Sequence, residues 1–137
     1  MGFWWILAAS AALATEAVEV DGAVLATLAH DYDGRRVRTE MSKMAVLTSK
    51  AMGCSKDEVT IQLGPKLRMG QAPAVTTTMF ALCLPRTQAA EFIPLPMGTG
   101  LVIEADVTVK GPKTMPRITM TGAVITKKLD MNGLPIE

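Results

Sequence analysis

Aromatic residues are scarce in this sequence, with one Tyr, three Phe and two Trp among 137 residues. Proteins that hold single-stranded nucleic acid stack bases on such rings, at about 1–3 kcal/mol per base. A stacking platform is therefore disfavoured. The chain has one histidine, His30, and two cysteines, Cys54 and Cys83. That excludes a zinc site built from clustered Cys and His, and any site needing two histidines. Neither sign of charge dominates: Lys and Arg number 14, Asp and Glu 13, for a net charge of +1. Polyanion-binding domains usually carry a large basic surplus. There is no glycine-rich phosphate loop and no nucleophile elbow. What is present is a chain 49% hydrophobic and 20% charged. At this length it makes one globular domain with a core of its own.

The first fourteen residues carry no charged side chain, and Phe3 to Leu13 is an apolar run broken only by Ser10. The run is about half of the ~20 residues a membrane-spanning helix needs. Ala12-Leu13-Ala14 is a small-x-small cleavage site, and Glu16 follows at once. Residues 1–14 are read as a signal peptide, giving an exported protein, periplasmic or secreted. The competing reading is a short buried or interfacial N-terminal helix. Cleavage would remove both tryptophans and Phe3, leaving Tyr32, Phe80 and Phe92. After Ala14 no segment is long and apolar enough to span a bilayer, so the mature chain is expected to be soluble.

Residues 15–128 carry the pattern of an all-β domain. A short helix over Val24 to His30 leads into the turn signal Asp31-Tyr32-Asp33-Gly34. Strands follow at Val37–Leu47, Glu58–Leu63, Val75–Leu84, Leu101–Lys110 and Arg117–Lys127. The first switches parity after Met41, which a β-bulge near Ser42 explains. The fourth is the most regular, with Leu101, Ile103, Ala105, Val107 and Val109 on one face. In the last, Ile118, Met120, Gly122, Val124 and Thr126 share a face. Arg86 to Ile93 reads as one or two helical turns stopped by Pro94 and Pro96. Residues 129–137 read as a poorly ordered tail. Five strands with a short insert between the third and fourth suit a five-stranded Greek-key barrel, the OB-fold. A small open meander or sandwich is the alternative.

Two segments carry a resemblance. Tyr32-Asp33-Gly34-Arg35-Arg36-Val37-Arg38 resembles the lead-in to the first strand of exported bacterial OB-fold proteins of the tRNA-anticodon-binding-like group. Met97-Gly98-Thr99-Gly100-Leu101-Val102-Ile103 resembles the turn into their fourth strand. The likeness spans residues 23–128. It departs at Glu40-Met41, where the group usually has a glycine. Many exported members have no established nucleic-acid role, so the resemblance implies a fold and a compartment rather than an activity.

Candidate functional residues are few. Cys54 and Cys83 lie symmetrically about the loop Gly64–Pro73 of the expected hairpin, which would set them face to face as a disulfide in an oxidising compartment. The other reading is two buried small apolar residues. Ligands of such barrels usually meet the face of the second and third strands and the loops joining strands one–two and four–five. Lys50 and Lys56 lie in the first of these loops, and Lys110, Lys113 and Arg117 in and beside the second. Lys66 and Arg68 lie at the hairpin tip. Seven cations around one mouth would favour an anionic ligand; the plainer alternative is solvated loops. His30 beside Asp31 has no identifiable nucleophile near it, so it reads as structural and the protein as no enzyme. Asp31 and Asp33 fall short of a calcium loop. The methionines are scattered and read as adaptable core filling. Met52 and Cys54 give Cu(I) little support, so no metal or cofactor is expected. The function expected is a non-catalytic binding module for a protein partner or an anionic envelope ligand. The alternative is a structural subunit of an envelope assembly.

Overall fold

The structure, a computed structural model, describes residues 16–47, 53–66, 68, 70 and 77–136. The leader read in residues 1–14, the cation Lys50 and Met52 lie outside them. Two-residue strand β1 (Val18–Glu19) is followed by helix α1 (Gly22–Thr27) and a 3-10 turn (Ala29–Tyr32). Next come β2 (Arg36–Leu47), β3 (Glu58–Gly64), β4 (Met79–Pro85), the short helix α2 (Arg86–Ala89), β5 (Gly100–Lys110) and β6 (Arg117–Leu129). The expected helix over residues 24–30 is thus split. α1 starts two residues earlier, capped by Asp21, whose carboxylate accepts the Ala23 N–H at 2.8 Å.

The strands close into a barrel in the order β2-β3-β4-β6-β5, with β5 returning to β2. Closure depends on the length of β2. Its first half pairs with β5, from Arg36 opposite Asp106 to Ser42 opposite Gly100. Its second half pairs with β3, from Ser42 opposite Gly64 to Leu47 opposite Thr60. The register slips between Lys43 and Ala45, so the bulge read near Ser42 is present and bends the strand from one neighbour to the next. β4 and β6 run parallel, Met79 to Leu82 opposite Arg117 to Met120. All other barrel pairs are antiparallel. This is the five-stranded OB-fold-like barrel, with β1 added beside β2.

The core holds Val37, Met41, Ile61, Leu63, Phe80, Leu82, Leu84, Leu101, Ile103, Val107, Ile118 and Met120. Leu25 and Phe92 plug it from α1 and from the turn after α2. The alternation read in β5 holds along its length, with all five apolar residues buried. In β6 the expected single parity fails. Gly122 has φ +59°, and the register slips where Asp106 faces Thr121 and Glu104 faces Val124. Beyond that bulge Ala123 and Ile125 pack on the core, whereas Val124 is 49% exposed. β4 starts at Met79 rather than Val75; residues 77 and 78 precede the strand, and 71–76 lie outside the described residues. The C-terminal segment, expected to be loose, closes into a turn. Asp130 Oδ1 accepts the Asn132 and Leu134 N–H groups at 2.8 and 3.0 Å, and Ile136 N–H donates to Lys128 O at 2.8 Å.

Candidate functional site

The face of β3 and β4 that such barrels commonly offer to ligands is roofed over here. Thr60 and Cys83 are register partners pointing outward, yet both are buried, Cys83 to 1% exposure, as is Ala81. Cys54, in the loop before β3, is bonded to Cys83 with the Cα atoms 5.4 Å apart. A Cβ on neighbouring Gly53 would lie 3.3 Å from Thr119 Oγ1, so the loop reaches across β4 to β6. The two cysteines therefore meet, but not as the cross-strand neighbours that hairpin symmetry implied. The register sets Cys83 opposite Thr60, and a loop rather than a strand brings Cys54 to it.

The six described members of the seven-cation set do not gather at one mouth. Lys56 sits in the turn before Glu58, where β3 begins beside the end of β4. Lys110, Lys113 and Arg117 lie at the opposite strand ends, where β5 turns into β6 beside the start of β4. The topology decides this: β5 ends where β2 begins, whereas the loop carrying Lys56 leaves from the end of β2. Lys66 and Arg68 follow the end of β3. Arg68 is ion-paired with Glu40 and its side chain is only 16% exposed, so it acts as a strut. Lys66 is exposed on the wall of an open cleft of about 450 Å³ shared with Glu19, Asp21, Arg38 and Glu40. The charges of that cleft largely satisfy one another, Arg38 standing 3.4 Å from both Glu19 and Glu104.

What remains is a compact cationic rung. Lys110 lies directly opposite Arg117, and Arg117 directly opposite Met79 on its other side. All three point outward and are exposed. Above them the turn Gly111–Pro116 carries exposed Lys113 and exposed Met115. Among the described residues no ion pair uses Lys110, Lys113 or Arg117. The turn is held in shape. Met115 N–H donates to Pro112 O at 3.1 Å, and Thr77 Oγ1 donates to Thr114 O at 2.8 Å. Gly111 has φ +88°, and a Cβ there would stand 3.0 Å from Met115 O, so only glycine fits.

His30 serves this same end of the barrel: its Nε2 donates to Gly111 O at 3.0 Å. Asp33 Oδ1 accepts the Val109 N–H at 2.8 Å. Together they pin the lead-in turn to β5 and to the residue that follows it. Among the described residues no three His, Cys, Asp or Glu side chains are placed to hold a metal ion.

Lys43, which the sequence reading passed over, is the most unusual charged group. It is 5% exposed, and its ammonium donates to Ile93 O at 2.7 Å and to Leu95 O. Burial holds its pKa below the ordinary lysine value of 10.5. The signal for it was faint: a lysine at a parity switch, where the bulge turns an outward position inward.

No family model matches the chain, and no curated protein matches it. No helix among the described residues is long and apolar enough to cross a membrane.

Proposed function

We propose that this protein is a non-catalytic, exported binding module that takes an anionic ligand at the β5–β6 turn, through Lys110, Lys113 and Arg117. The carrying observation is the direct cross-strand opposition of Lys110 and Arg117 with no acid paired to either among the described residues. Like charges placed opposite each other on a sheet destabilise it. An anion seated between them would relieve that repulsion and supply the missing counter-charge. The rigid turn favours this use, since little ordering entropy is lost when a preformed loop binds. The roof over β3 and β4 supports the same choice by leaving the usual face less accessible. Export, to the periplasm or beyond, is supported by the leader-like residues 1–14 and by the Cys54–Cys83 bond, which persists in oxidising compartments.

The test is calorimetric titration with heparin and with inorganic polyphosphate at low and at physiological salt. Wild type should bind, more weakly as salt rises. R117E should weaken binding at least about tenfold, since a reversed charge both removes an attraction and adds a repulsion. Absence of salt-sensitive binding to either probe would end this reading.

A further inference from the structure

We infer that the barrel end carrying the β5–β6 turn docks on an anionic lipid surface. This rests on reading that turn as an anion site and names the source of the anion. The added observation is where the exposed apolar side chains lie. Four large ones belong to this end: Val24 and Leu28 on and just after α1, Met79 at the start of β4, and Met115, 58% exposed, in the turn. The contacts tie these elements together. His30, two residues past Leu28, bonds to Gly111; Thr78 Oγ1, beside Met79, donates to Ala26 O in α1; and Met79 N–H donates to Pro116 O at 3.0 Å.

A soluble anion needs only the cations. A membrane interface rewards cations and apolar tips together, because phosphates meet the charges while the tips enter the acyl boundary. The segment Lys110-Gly111-Pro112-Lys113-Thr114-Met115-Pro116-Arg117 has that arrangement, with methionine between two cations on a turn stiffened by two prolines. Of the acids on the elements named, Asp33 is committed to the Val109 N–H and Asp21 to the N-terminus of α1, while Asp31 is exposed. Arg35, exposed and lying over the Tyr32 ring at 5.7 Å, adds a further cation.

The protein without the leader, residues 15–137, is mixed with vesicles containing phosphatidylglycerol and with pure phosphatidylcholine vesicles, and the bound fraction is read by co-sedimentation. Heparin titration runs in parallel. Each variant changes exposed side chains, and its melting temperature checks that the fold is kept. Phosphatidylglycerol vesicles should be bound and phosphatidylcholine vesicles not. Each cation near such a surface changes affinity about fivefold, so K113S/R117S should weaken vesicle binding roughly thirtyfold. M115S should weaken vesicle binding about tenfold and leave heparin affinity unchanged. Heparin binding without vesicle binding would overturn the lipid inference and leave the anion site standing. So would vesicle binding that the variants do not alter, or an M115S effect equal on both probes. Failure to bind either probe would remove both readings.

Discussion

Lys43 illustrates how much one side chain can organise. Its ammonium spans from β2 to the carbonyls of Ile93 and Leu95, and its backbone N–H donates to Thr99 O at 2.8 Å. The connection from α2 to β5 is thereby fastened over one end of the barrel. Replacing it with methionine keeps the volume but leaves the two carbonyls without their donor. We expect Lys43→Met to cost roughly 1.5–3 kcal/mol, the range for hydrogen bonds to a charged group. The pH dependence follows from the lowered pKa. Between the folded-state value and 10.5 the unfolded chain holds a proton that the folded chain has released, so stability rises with pH across that window. Urea unfolding at several pH values should therefore show wild type gaining on Lys43→Met toward pH 10.5. A difference that shrinks as pH rises would contradict the burial argument.

At the scale of the element, β6 is the instructive case. Its apolar residues spell one parity from Ile118 to Val124, and a strand with no bulge would bury Val124. The chain instead inserts Gly122 in the left-handed region, with its carbonyl accepting from Arg36 at 3.1 Å and Asp106 alongside. The bulge re-aims the next residues, so that Ala123 and Ile125 cover the core, before a second register slip between Ile125 and Lys127. Any side chain at position 122 meets both an unfavourable φ and Asp106 Oδ2, 3.2 Å from the Cβ position. Gly122→Val should destabilise by about 1–3 kcal/mol. The check is a lower urea midpoint with an unchanged slope, which marks lost stability rather than a changed unfolded state. β5 offers the contrast: it has no glycine inside it and its two-residue period is read correctly from the sequence along its whole length. The bulge in β2 was legible because the parity switch shows in the hydrophobic pattern itself. The one at Gly122 in β6 was hidden because the glycine sits at a position an inward residue would occupy.

For the molecule as a whole, closure of the barrel and the Cys54–Cys83 bond act together. The bond links residues 29 apart and fastens the β2–β3 loop over β4. By loop-closure entropy, a bridge of that span stabilises by roughly 3–4 kcal/mol. The C54S/C83S variant should lose about that much in chemical denaturation. Amide exchange should quicken first in β3 and β4, whose outer face the loop then uncovers; unaltered exchange there would show that the loop keeps its place without the bond.

The sequence by itself determined the existence and order of the five barrel strands, the bulge in β2 and the all-β class, but not the short β1 or the start of β4. These follow from side-chain period and from glycine and proline chemistry, which act between near neighbours in the chain. Only the tertiary structure decided which cations stand together. It paired Lys110 with Arg117, set Lys56 at the other end of the barrel, and turned Arg68 inward to Glu40. It likewise chose a loop-to-strand disulfide over a cross-strand one and buried Lys43. The physical reason is that register and strand order are set by packing one closed core, and residues far apart in sequence become neighbours only once the cylinder has closed.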